Sequence, residues 1–260
     1  MKHKRIKWYK RGRRTQLKRW LIFGFIGVLL LLGGIGWKFL YPHEQKSWSW
    51  TVGNQTILID AGHGGVDPGA VGKTSLEKDI TLAVSKRLKV LVQQAGGKPV
   101  MVREEDVDLG TAQGLLKRKR EDLAQRIQLA NDRQADVYLS IHVNSSTKEK
   151  LTGPQVFYYA DSQEGKLLAQ NIQTQLNLVA GGKRIAKGNQ ELFILKKADR
   201  AAVMIELGFL SNSEEEQKLN DPNYQQMLAV AVYQGLANYL GTSQNLVPEK
   251  EGNTHNVPNI

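Results

Sequence analysis

Apolar residues recur along this chain at two different periods, and their alternation sets the fold class. Ile57-Leu58-Ile59 is a short, wholly apolar run that ends in Asp60, the pattern of a buried strand. Ile80, Val84, Leu88 and Leu91 then recur at helical spacing, and the helix they predict stops at Gly96-Gly97. KPVMVR (98–103) reads as a strand, and Leu115 to Arg133 as a helix with Leu123, Ile127 and Ala130 turned inward. ADVYLSIHV (135–143) and GPQVFYYA (153–160) read as strands, EGKLLAQNIQTQLNLV as a helix, and LFIL (192–195) as a short strand. AAVMIELGFL (201–210) is a central strand, SNSEEEQKL a short helix capped by Ser211 or Ser213, and NYQQMLAVAVYQGLANYL the closing helix. Strands alternating with helices of this length predict one α/β domain over 55–241, a mostly parallel twisted sheet flanked by helices.

The segment before this domain has a different character. Trp20 to Trp37, WLIFGFIGVLLLLGGIGW, holds no charged residue. As a helix it would span roughly 27 Å, close to the hydrocarbon thickness of a bilayer. Residues 1–19 carry ten Lys and Arg and no acid. A basic arm of this kind fits nucleic-acid binding, but directly before an apolar span it fits the positive-inside rule better. The expectation is a basic cytoplasmic tail (1–19), a single-pass anchor in the cell membrane (20–37) and a spacer (38–54). The catalytic domain would be extracytoplasmic, with no nucleic-acid partner. A cleaved leader would need an A-x-A-like run of small residues before its cut site, and KFLYPHEQKSWSW holds no alanine or glycine. Residues 242–260 lack periodicity and read as a disordered tail. Of the net charge of +11, ten belong to the N-terminal tail, since 36 − 10 leaves 26 basic residues against 25 acidic ones in the rest of the chain.

The chain has no cysteine, which excludes disulfides and thiolate metal sites and leaves imidazole and carboxylate as metal ligands. Of five histidines, His3, His43 and His255 lie outside the domain. His63 sits in DAGHGG, after the first strand, where Gly62, Gly64 and Gly65 let the backbone turn and approach a ligand. His142 sits near the end of another strand. Ligands of open α/β sheets bind in the crevice at that carboxyl edge, so two histidines there read as a pair of metal ligands. Glu77 has two readings. With Thr74 it fits a capping box; alternatively, the first turn of its helix puts a carboxylate beside the imidazoles, completing a His-Glu-His set with an open position. Glu206 interrupts the apolar run VMI–LGFL, and an unpaired carboxylate there costs several kcal/mol. It is either a structural ion-pair partner or a carboxylate beside a metal. Asp60 and Asn144 flank the histidines and are candidates to orient them, Asp60 also being a possible replacement for Glu77 as ligand.

DAGHGG followed by LEKD, then SIHVNSS, then MIELGFLSN, resembles the zinc N-acetylmuramoyl-L-alanine amidases of the amidase 3 family across the whole domain. The likeness is greatest to their germination-specific (CwlD type) members, where stretches similar to VREEDVDL and KRKREDLAQR also occur. The resemblance implies Zn2+ held by His63, Glu77 and His142, with Glu206 as the catalytic carboxylate. It also implies peptidoglycan as substrate, cut between N-acetylmuramic acid and L-alanine, in a pathway leading to muramic δ-lactam in spore cortex and hence to germination. The short interval between His142 and Glu206 leaves no room for the inhibitory helix of the cell-division amidases. Another zinc hydrolase of the wall (a peptidase or a deacetylase) and a non-catalytic peptidoglycan-binding module are the alternatives. No protein partner is identified by the sequence.

Overall fold

The computed structural model describes residues 50–244. A 3-10 turn (Trp50–Val52) precedes β1 (Thr56–Ala61), and then come α1 (Glu77–Gln94), β2 (Lys98–Met101), α2 (Leu115–Asp132), β3 (Val137–Asn144) and β4 (Gln155–Tyr159). α3 (Gln163–Ala180), β5 (Lys187–Asn189), α4 (Phe193–Lys197), β6 (Ala201–Phe209), α5 (Ser213–Leu219) and α6 (Pro222–Gln244) complete the domain. The strands form one six-stranded sheet in the order β2-β1-β3-β6-β4-β5. All pairs are parallel except β4 against β6. β4 therefore begins, rather than ends, at the edge where β1, β3 and β6 finish.

Alternating residues of the central strands serve two cores. Ile57 and Ile59, Leu139 and Ile141, and Val203 and Ile205 belong to the larger core with α1, α3 and α6. Leu58, Tyr138 and Ala202 pack with Ile127 and Ala130 of α2 and Ile194 and Leu195 of α4. The predicted stripe of α1, Ile80, Val84, Leu88 and Leu91, is buried, because a sheet buried on both faces needs an apolar helical face over each.

Several expectations are corrected. LFIL is not a strand: Leu192 precedes α4, whose Ile194 and Leu195 are buried. Four apolar residues carry too little periodicity to separate helix from strand. Leu123 of α2 is 37% exposed and lines the cleft described below rather than the core. Neither Ser211 nor Ser213 caps α5; Asn212 does, accepting from the amides of Glu214 and Glu215. The capping box at Glu77 is absent as well. α1 begins at Glu77 after an extended Leu76 that makes no side-chain cap bond, and Thr74 lies in a small turn closed by the Val71–Leu76 bridge. α6 continues to Gln244, three residues into the stretch read as a tail. The proposed anchor at 20–37 lies outside the described residues, among which no helix is long and apolar enough to cross a membrane.

Candidate metal centre and catalytic cleft

The carboxyl edge of the sheet gathers residues from β1, α1, β3 and β6. β1 ends at Ala61 and the chain turns sharply, with His63 itself in the left-handed region at φ 62° and Gly64 and Gly65 also at positive φ. The turn brings Gly62 against the His142 ring so closely that a Cβ there would collide with the imidazole. The two rings meet edge to face, with centroids 5.0 Å apart.

Glu77 joins them. Oε1 accepts from the Val143 amide at 2.9 Å and lies 2.9 Å from His142 Nδ1. Oε2 accepts from the Ala70 amide at 2.7 Å and lies 3.1 Å from His63 Nε2. One donor atom from each of His63, Glu77 and His142 falls within 4.8 Å of the other two. Burial would raise the Glu77 carboxyl, but hydrogen bonds and charge from His142 and His63 outweigh it and hold it well below the usual carboxylate range. Burial likewise opposes charge on His63, yet Glu77 and Asp67 together raise its pKa.

The donor set suits a cation. Asp67 Oδ2 lies 2.9 Å from His63 Nδ1 and, in the tautomer that carries its proton there, accepts the N–H of that nitrogen. The Nε2 lone pair of the neutral ring is thereby directed at a carboxylate oxygen, acceptor against acceptor. Only a proton or a metal ion between them reconciles that pair, and three such ligands with no thiolate are a standard set for catalytic zinc.

Glu206 is the in-register partner of His142 on the neighbouring strand, so both side chains project to the same face of the sheet. Its Oε2 is buried with no hydrogen-bond partner among the described residues. Burial, opposed by His142 and reinforced by the charge of Glu77, pushes its carboxyl up to about 7. No ion pair to Glu206 is found among the described residues, and its pKa sits where a group can both take and give a proton near neutrality.

Neither Asp60 nor Asn144 makes a hydrogen bond to a histidine ring. Asp60 is fully buried and bonds Arg126 through Oδ1, while Oδ2 accepts from Tyr138 Oη at 2.8 Å and Ser140 Oγ at 3.1 Å. Its geometry leaves it no place as a replacement for Glu77. Asn144 follows a register shift in β3, and its side chain turns back to the Ser145 amide. The carboxylate beside the His63 ring is Asp67, which no sequence motif singles out. Its signal was the four-residue spacing from His63 inside a loop otherwise short of side chains. Lys119 of α2 pairs with Asp67 at 2.7 Å, and with Leu123, Ile194 and the two histidines it lines a cleft of about 250 Å³. A larger cavity of about 370 Å³ lies at the opposite, amino edge of the sheet around Gln134 and Arg200, away from every residue of this constellation.

A family profile described as N-acetylmuramoyl-L-alanine amidase (Amidase_3) matches residues 57–238. The germination-specific N-acetylmuramoyl-L-alanine amidase of Bacillus subtilis (strain 168) is 38% identical over 229 residues, covering 87% of this chain and 96% of that protein. The structure of the CwlD amidase from Clostridioides difficile, solved in complex with the GerS lipoprotein, superposes with a TM-score of 0.71 at 37% identity, covering 73% of this chain and all of that one. The catalytic domain of CwlV, an N-acetylmuramoyl-L-alanine amidase from Bacillus (Paenibacillus) polymyxa, is also similar, with a TM-score of 0.64, 28% identity and coverage of 72% and 98%.

Proposed function

Because the chain belongs to the N-acetylmuramoyl-L-alanine amidase family, we propose that it is a zinc hydrolase of peptidoglycan. It cuts the amide joining the lactyl group of N-acetylmuramic acid to L-alanine of the stem peptide. The observation that carries this reading is the convergence of His63, Glu77 and His142 with Glu206 beside them. Zinc, when bound, acidifies a water and polarises the amide carbonyl.

The chain's own residues supply the rest. Asp67 fixes the His63 tautomer and leaves Nε2 free to ligate. The Val143 and Ala70 amides hold both oxygens of Glu77 toward the imidazoles. Glu206 takes the proton of the attacking water and delivers it to the leaving α-amine of L-alanine, a role suited to a buried carboxyl whose Oε2 has no partner among the described residues. Leu123 and Ile194 give the cleft an apolar wall.

The likeness to the germination-specific amidase of Bacillus subtilis over nearly its whole length supports a role in spore cortex maturation, toward muramic δ-lactam. The uncharged segment at 20–37 behind its basic flank supports an anchored enzyme with its domain outside, where peptidoglycan is.

The test is digestion of purified peptidoglycan by protein beginning at Ser49, with and without chelator, followed by mass spectrometry of the muropeptides. Intact stem peptides and peptide-free glycan should be released, and zinc should restore the chelated enzyme. Cleaved stem peptides would identify a peptidase, released acetate a deacetylase, and binding without release a glycan-binding module.

A further inference from the structure

Two charged stretches remain unexplained by the metal centre itself: VREEDVDL (102–109) and KRKREDLAQR (117–126). They meet around the His63 turn. Carbonyls 61, 62 and 63 are each held by a guanidinium. Ala61 O accepts from Arg103 Nε at 2.9 Å and Arg126 Nη1 at 3.0 Å. Gly62 O accepts from Arg103 Nη2 at 3.0 Å, and His63 O from Arg126 Nη2 at 2.8 Å.

Two amide donors of the same turn are met by the first of these stretches. The Gly65 amide bonds Asp106 at 2.8 Å and the Val66 amide bonds Asp108 at 3.2 Å. Asp108 is held by Arg118, and Asp122 by Arg126. Side chains at 64 and 65 are excluded, because a Cβ at Gly64 would strike Val107 O and one at Gly65 would strike Asp108.

This arrangement is costly. Arg103 and Arg126 are 3% and 2% exposed, and two like charges lie side by side away from water. Burial and the neighbouring Arg126 both lower the proton affinity of Arg103. Asp60 and Asp122 pair with Arg126, whereas Arg103 has no ion pair among the described residues and spends its donors on backbone carbonyls and Thr81. The turn needs both guanidiniums, because His63 is a non-glycine residue in the left-handed region, a conformation that persists only when its surroundings impose it. That conformation aims the imidazole at Glu77.

We propose that the two stretches form a mould around residues 61–66, with Arg103 and Arg126 as positioning residues that hold His63 in ligating geometry before any metal arrives. The metal part rests on the zinc reading above; the mould itself does not.

The experiment uses the full chain, chelated and then titrated with cobalt(II) as the probe. Arg126→Lys keeps a cation for Asp60 and Asp122 but cannot present five donors in a fork. It should weaken cobalt binding about 10–100-fold and alter the visible d–d spectrum. It should also speed amide hydrogen exchange at Gly65 and Val66 in the metal-free protein. Leu176→Ala, a cavity variant in the other core, controls for general destabilisation and should keep wild-type cobalt affinity. Unchanged exchange and unchanged cobalt affinity in folded Arg126→Lys would overturn the proposal. If that variant does not fold, Asp106→Asn decides, since its carboxylate lies half-exposed at the rim. Faster exchange at Gly65 then supports the mould, and unchanged exchange overturns it. A wild-type chain that binds no cobalt yet shows the exchange difference would refute the metal reading and leave the mould standing.

Discussion

Glu206 shows how one residue can be read from sequence and still need the structure. A carboxylate inside VMI–LGFL is conspicuous, but whether it meets a cation or stands alone is a matter of neighbouring strands. In the folded chain its register partner is His142 and its Oε2 has no partner among the described residues. Glu206→Gln should keep zinc and peptidoglycan binding, with turnover lower by roughly 10²–10⁴; metal analysis and a muropeptide assay on the same preparation check this. Loss of zinc from the folded variant would make Glu206 a ligand instead. A pH effect follows from the same burial. The carboxyl titrates near 7 in the fold against 4.5 ordinarily, so between those values the folded chain keeps a proton that the unfolded chain releases. The stability of the chelated protein should therefore fall as pH rises from 4.5 to 7 and level off above. Melting curves of chelated Glu206→Gln should lose that slope and lie above wild type at pH 8. His63→Ala and His142→Ala, leaving two ligands each, should lose stoichiometric zinc while keeping the far-ultraviolet spectrum of the fold. Asp67 and the two arginines were less legible, because a turn residue and a charged helix face look alike in sequence whether they grip a site or only meet water.

At the scale of elements, long amphipathic segments were plain and short ones were not. α1, α2 and α3 and the strands carrying His142 and Glu206 follow from periodicity. α4 reads as a strand because a single turn of helix shows no period, and β5, with Lys187, Gly188 and Asn189, has no apolar signature at all. The capping box at Thr74 and Glu77 matches a local rule that tertiary contacts override: the Thr74 and Ser75 amides and hydroxyls all turn to Oε1 of Glu216 in α5. Glu216 thus ties the turn before α1 to the helix after β6. Glu216→Ala should cost about 1–3 kcal/mol through stranded donors, measured by urea denaturation, and should loosen the approach to Glu77 without removing any proposed ligand. Thr74→Ala, by contrast, should cost less than a lost helix cap, because α1 does not use it.

At the scale of the whole molecule, the alternation of strand and helix gave the α/β class and the parallel majority, but not the strand order or the reversal of β4. Those depend on which faces are left to bury once the first crossovers are made, and the sequence patterns of β4 and β6 are alike in either direction. The uncharged segment before the domain leads to a test on intact cells. Protease added to protoplasts should degrade the catalytic domain, whereas survival until the membrane is lysed would reverse the proposed orientation.

β1 is made early in synthesis and β6 late, yet only β3 separates them in the finished sheet. Parallel neighbours cannot be joined by a local hairpin, so their pairing waits for long crossovers to close. A nascent chain long enough to contain His63, Glu77 and His142 still lacks the strand that flanks β3 and carries Glu206. The proposed ligand set is therefore complete in the chain before the strand that carries Glu206 is made. If the domain folds beyond the membrane, as proposed, that proposal implies uptake of the metal outside the cell, after synthesis.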